Sequence, residues 1–267
     1  MSRLALVAGT GRLPLELTQA LTEPPLICAL EGNTPEGLEV DVRFSLSRLV
    51  PFLRHLGDQG VESVALVGAM NRPRLDPEHF DRDTASLMPD LMTALQQGDD
   101  GALRWLMALL EEFDFTLKGV AELAPALLAA EGVLTARAPN HAEQADAARG
   151  TEILAALDPQ DVGQGCVVAA RLCLAVEALY GTDIMLEHVA SARDQREPTA
   201  GGVLVKRAKR GQDLRADIPA IGPDTIEALR AARLTGVCLQ AAHTLILDRS
   251  RTLAAAEAAG LTIWATP

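Results

Sequence analysis

The sequence predicts an α/β protein of two domains, and three observations carry that prediction. Short apolar runs that stop at glycine alternate with helix-length amphipathic stretches. The alternation resumes after a turn-rich break near residue 138, marked by Pro139 and Asn140. The chain, at 267 residues, is long enough to bury two cores without disulfide or metal staples.

The elements follow in order. "RLALVAG", Arg3 to Gly9, is an apolar run closed by glycine, as expected of a buried parallel strand. "LPLELTQAL" continues as a helix, with Pro14 where a first turn tolerates proline. "PPLICAL" reads as a second strand, "SRLVPFLRHLGDQG" as a helix and "VESVALVGAM" as a third strand. Strand, helix, strand, helix, strand is a Rossmann-like beginning. Helices are expected over Thr84 to Gln97 and Asp100 to Glu112, with Asp99 or Asp100 as an N-cap, and "FTLKGV" returns a strand.

The boundary is placed after Arg137, giving a Rossmann-like N-terminal domain over 1–137 and a C-terminal α/β domain over 138–267. The second domain opens with a helix from His141 to Leu157. "GCVVAARLCLAVEALYGTD" reads as a hairpin rather than one long helix, because Val167, Val168 and Val176 are β-branched and Gly163, Gly165 and Gly181 bracket the unit, although Cys166 and Cys173 would also suit one helix face. "GGVLVKR", "GVCLQA" and "HTLILD" are strands, and Asp224 to Arg233 and Arg251 to Ala259 are helices.

A net charge of -12 excludes sequence-independent nucleic-acid binding, which needs a broad basic surface. An anionic ligand must instead be met by a local cluster. Cys28, Cys166, Cys173 and Cys238 are scattered without zinc spacing, as expected of buried free thiols in a reducing cytosol. The apolar runs are too short for a signal peptide or a membrane span, so a cytoplasmic protein is expected, at most peripheral to a membrane.

The loop "GTGRLP", Gly9 to Pro14, joins a strand to a helix, where backbone N–H groups favour an anion. Its other reading is a tight turn alone. Glu31, after the second strand, stands about where a ribose-binding acid would lie, which keeps an NAD-binding oxidoreductase in competition. "GAMNRPRL" puts Asn71, Arg72 and Arg74 at the expected carboxyl edge of the sheet. In "EALYGTD", Thr182 either caps the next helix or contacts substrate, with Glu177 and Asp183 beside it. The histidines show no dyad or metal spacing, and no G-x-S-x-G elbow is present.

"LVKRAKRGQDLRADIPAIG", Leu204 to Gly222, is the densest signal. Lys206, Lys209, Arg210 and Arg215 can neutralise phosphate oxygens, whereas Asp213 and Asp217 offer hard oxygen ligands for Mg²⁺ or can orient water. Both kinds of residue in one turn-rich segment suit phosphoanhydride hydrolysis. A solvated charged loop is the plainer alternative.

The ordered segments "LALVAGTGRLP", "LVGAMNRPRL", "GDDGALRWL", "VGQGCVVAARLCLAVEALYGTD", "GGVLVKRAKRGQDLRADIPAIGPDTI" and "GVCLQAAHTLILDR" together resemble the UDP-2,3-diacylglucosamine pyrophosphatases of lipid A biosynthesis, LpxI type. The resemblance covers nearly the whole chain. It implies Mg²⁺-dependent hydrolysis of UDP-2,3-diacylglucosamine to UMP and 2,3-diacylglucosamine 1-phosphate, with the ligand site between the two domains. It further implies that Gly11, Arg12, Asn71, Arg72 and Thr182 line the substrate site and that Lys206, Lys209, Gln212 and Arg215 face the diphosphate. Asp213 and Asp217 are then the catalytic residues, as metal ligands or water-orienting groups. A lipid-linked nucleotide sugar as partner implies transient contact with the inner-membrane surface, and a homo-oligomer stays open. Three departures stand out: Thr10 and Arg12 where small residues are common, and Ala242 where glycine is common. A noncatalytic nucleotide-sugar or lipid-binding protein is the remaining competitor.

Overall fold

The computed structural model describes residues 3–70, 79–96 and 98–267. Asn71, Arg72 and Arg74 therefore lie outside the described residues. The chain divides into two compact units, Met1–Ala124 and Pro125–Pro267, each taken by itself below.

In the first unit β1 (Arg3–Ala8) runs parallel to β2 (Leu26–Leu30) and to β4 (Val61–Val67). β3 (Val42–Phe44) joins β2, and β5 (Thr116–Leu117) joins β4, again parallel. The order β3-β2-β1-β4-β5 is the doubly wound order in which the first βα turn sits at the middle of the sheet. Ala5 to Ala8 and all of β2 are buried, which is why these strands read as unbroken apolar runs. After β1 comes α1 (Leu13–Ala20), with Pro14 in its first turn. In α2 (Leu49–Asp58), Leu49, Val50, Phe52, Leu53 and Leu56 make one buried stripe, and Phe52 stacks on Phe44 with ring centroids 3.9 Å apart.

The helix expected over Thr84 to Gln97 is two: α3 (Arg82–Ser86), capped by Asp81, and α4 (Met88–Gln96). Pro89 explains the break, since proline suits the first turn of a new helix and not the interior of an old one. α5 (Asp99–Glu112) has Gly98 at its N-cap, with φ 95°, so the cap is not the aspartate the sequence suggested. Glycine alone enters that backbone region at little cost. α6 (Val120–Leu123) ends the unit.

The second unit carries a six-stranded sheet. β9 (Val203–Lys206), β11 (Gly236–Gln240) and β13 (Thr262–Thr266) are parallel, while β6 (Gly132–Val133) lies antiparallel on β13. On the other side β7 (Gly165–Ala169) and β8 (Leu172–Val176) form the expected hairpin, with β7 antiparallel to β9. A separate parallel pair joins β10 (Ala220–Ile221) to β12 (Leu245–Ile246). Alternation along β9 splits the core. Val203 and Val205 pack with Cys166, Cys238, Trp264 and α7 (His141–Leu157), whereas Leu204 packs with Val167, Leu239, α8 (Gly181–Ala192) and α9 (Pro223–Ala231). α10 (Arg249–Ala258) adds Ala256 to the second cluster.

The units divide thirteen residues ahead of the sequence-placed boundary, 137 against 124, and the reason is visible. Ala129 N–H donates to Thr244 O at 2.8 Å, β6 pairs with β13, and Arg137 makes a two-pronged pair with Glu143 at 2.8 and 2.9 Å. Residues 125–137 are short on secondary structure yet bonded to the second sheet. All four cysteines are free, but Cys173 is exposed rather than buried, because it lies on the edge strand β8. Burial pushes the Cys28 and Cys166 thiols up to about 12.

A cation and carboxylate cluster at the edge of the second sheet

The first candidate loop is built by close backbone approach. Thr10 N–H donates to Ala69 O at 2.7 Å and Ala69 N–H to Thr10 O at 3.2 Å, lacing the turn after β1 to the turn after β4. A Cβ on Gly9 would fall 2.3 Å from Ala69 O, so glycine is obligatory there. Gly11 sits at φ 85° with open space where a Cβ would be. Arg12 takes the N-cap position of α1 and its guanidinium reaches Glu16 at 3.6 Å. Glu31 lies just beyond β2, its N–H bonded to Phe44 O at 2.8 Å.

In the second unit the chemistry-bearing residues gather where β9 ends and the chain enters the loop to β10. Lys206, on the face of Leu204, is 5% exposed, and its ammonium donates to Thr182 Oγ1 at the start of α8. Thr182 in turn donates to Glu177 Oε2 at 2.9 Å, and Lys206 Nζ lies 3.6 Å from the same oxygen. Thr182 therefore does not cap α8; Tyr180 holds that position without a side-chain bond.

The next residues fold onto one another. Lys209 N–H donates to Gln212 Oε1 at 2.9 Å, and the Lys209 ammonium pairs with Asp161. The Gln212 amide donates to an Asp217 carboxylate oxygen and to Gln164 Oε1 at 3.4 Å. Gln164 ties this loop to β9 and β7, since Arg207 N–H donates to its carbonyl at 2.9 Å and its neighbour Gly165 is registered with Lys206. Asp213 and Asp217 lie one turn apart, with Asp217 N–H on Asp213 O at 3.1 Å. Both oxygens of Asp213 accept from the Arg215 guanidinium, at 3.0 and 2.7 Å.

The structure thus brings together Thr182, Lys206, Lys209, Gln212, Asp213, Arg215 and Asp217 in one stretch of the second unit, while Gly11 and Arg12 belong to the first. Sequence reasoning missed Asp161 and Gln164, whose only signal was the turn-rich "DPQDVGQG", and it gave Glu177 no task. Among the described residues no group of three or more His, Cys, Asp or Glu is arranged to hold a metal. The donor chemistry nonetheless fits Mg²⁺, which uses one or two carboxylates and completes its shell with water and substrate phosphates.

Fold and cluster together define a two-unit α/β protein with paired cations and carboxylates at the carboxyl end of a parallel strand. The chain belongs to the LpxI family: the model of the LpxI N-terminal domain matches residues 3–127, and that of the LpxI C-terminal domain matches residues 130–264. It is 31% identical over 271 residues, covering 98% of this chain and 96% of the relative, to a Caulobacter vibrioides protein named UDP-2,3-diacylglucosamine pyrophosphatase LpxI.

Proposed function

We propose that this chain is an enzyme that hydrolyses UDP-2,3-diacylglucosamine to UMP and 2,3-diacylglucosamine 1-phosphate in lipid A biosynthesis, with Mg²⁺, at the cytoplasmic face of the inner membrane. The observation that carries the reading is the grouping of Lys206, Lys209, Arg215, Asp213 and Asp217 at one strand end in a chain otherwise rich in negative charge. Open α/β sheets bind ligands at the carboxyl ends of their strands. The relative's name supplies the substrate.

In this reading Lys206, Lys209 and Arg215 neutralise the diphosphate, and Gln212 fixes the Asp217 carboxylate by the bond it already makes. Water attacks one phosphorus: an O–P bond forms, the bridging O–P bond breaks, and Asp217 receives the proton that the water gives up. Asp213 and Asp217 would hold Mg²⁺, which would supply further neutralisation of phosphoryl charge. Leu179 and Tyr180 are strongly exposed and precede Thr182 on the chain, and they support an apolar approach for acyl chains. Among the described residues no helix is long and apolar enough to cross a membrane. Mass spectrometry of a reaction with UDP-2,3-diacylglucosamine tests the proposal. UMP and the diacylated sugar phosphate in equal amounts are expected, and recovery of intact substrate from folded protein would refute it.

A further inference from the structure

Glu177 is a buried carboxylate, 7% exposed, with no part in the proposed hydrolysis. It is held tightly. Its N–H donates to Gly165 O at 2.8 Å, a Cβ on Gly163 would lie 2.1 Å from its carbonyl oxygen, and a Cβ on Gly165 would lie 2.5 Å from its Oε2. Gly163 thus makes room for the Glu177 backbone and Gly165 for its carboxylate.

We propose that Glu177 is a positioning residue: its carboxylate holds the Lys206 ammonium in place and the Thr182 hydroxyl oriented for the anionic substrate. Thr182 gives its only proton to Glu177, so its oxygen faces Lys206 as an acceptor. An ammonium this deeply buried needs a nearby carboxylate to offset its lost hydration. Glu177 is that carboxylate, at 3.6 Å. Among the described residues, the groups around Lys206 on the packed elements offer no substitute. Its registered neighbours, Gly165 on β7 and Leu239 on β11, carry no charge. On α8 Asp183, Glu187 and His188 are exposed, and in the following loop Asp213 is paired with Arg215, while Asp217 bonds Gln212. A buried ion pair contributes little net stability, because desolvation offsets the attraction. What this pair supplies is a charged donor fixed before substrate arrives.

The inference rests on the proposed role of Lys206 and Thr182 at the substrate diphosphate, and its test separates the two ideas. The chain's lysines are Lys118, Lys206 and Lys209, so the ε-methylene NMR signal of Lys206 can be assigned in lysine-labelled full-length protein by comparison with Lys206→Arg. In Glu177→Gln that signal should shift and broaden, because the ammonium loses the partner that fixes it. Hydrolysis of UDP-2,3-diacylglucosamine should lose about tenfold or more in kcat/KM, with the thermal midpoint nearly unchanged. Gly165→Ala keeps the charge but displaces Oε2, the movable end of a side chain, and it should fold and show a comparable loss in kcat/KM. An unchanged Lys206 signal in folded Glu177→Gln would overturn the proposal, as would kcat/KM within about twofold of the parent in either variant. Should Glu177→Gln not fold, Gly165→Ala decides alone. Were the parent inactive on this substrate, the functional reading would fall and the Lys206 signal would still decide the positioning claim.

Discussion

Asp217 sits between Ala216 and Ile218, with Pro219 just beyond, and its carboxylate takes the Gln212 amide. In the proposed reaction Asp217 acts on the reacting water or the metal, which would place its contribution in the transition state rather than in substrate binding. Asp217→Ala should therefore fold, retain the diacylated ligand and lose about a hundredfold or more in kcat; near-parental kcat would transfer the role to Asp213. A second residue-scale prediction concerns Ala242. Its φ is 59°, in the left-handed region that costs an alanine about 1–2 kcal/mol, a cost that exceeds the chain-entropy penalty of glycine, roughly 0.5–1 kcal/mol. Ala242→Gly should raise stability by about 0.5 kcal/mol in denaturant unfolding, and a lower midpoint would contradict this. At this scale the loop after β9 was legible, because Lys206, Lys209, Gln212, Asp213, Arg215 and Asp217 are close in sequence. Glu177 was not, since its partners lie in a helix and a strand that only the fold brings to it.

The element that opens the second sheet's helical layer shows how local rules and distant contacts combine. Asn140 and Glu143 make a capping box, with bonds of 3.0 and 2.8 Å, and α7 begins and ends where the sequence placed it. Glu143 also binds Arg137 through both oxygens, which no local pattern announces. Burial would raise the Glu143 carboxyl, but bonds from Arg137, Asn140 and Thr235 outweigh it and hold it below the usual glutamate range. A depressed folded value means stability that is full above the unfolded value, roughly 4.3, and lost as pH falls through the folded one. Unfolding midpoints measured down to acid pH should therefore fall more steeply for the parent than for Glu143→Gln, and parallel curves would remove Glu143 from the acid response. The β7–β8 hairpin was readable from its valines and bracketing glycines. By contrast β3, β6, β10 and β13 were not, because the first three have two or three residues each and "TIWAT" is too brief to separate strand from helix by periodicity.

For the whole molecule, the α/β class and the two-part organisation were plain from alternating apolar runs, but the boundary was not. A turn signal at Pro139 looks like a linker in sequence, whereas hydrogen bonds assign residues 125–137 to the second unit. A fragment of residues 125–267 should accordingly unfold cooperatively, and one of 138–267 should be weaker by about 3–5 kcal/mol or fail to fold, since it lacks β6 and leaves the buried Glu143 without Arg137. Equal stability of the two fragments, by denaturant unfolding, would return the boundary to Arg137. The chain's family membership and its strand-end cluster meet in one claim, that the second unit's cations and carboxylates carry metal-assisted hydrolysis of a lipid-linked diphosphate. The most direct measurement is UMP release from UDP-2,3-diacylglucosamine by the full chain with Mg²⁺, after excess chelator, and after Mg²⁺ is restored. The account predicts release, arrest and recovery in that order; undiminished release in chelator, or none at any stage from folded protein, would contradict it.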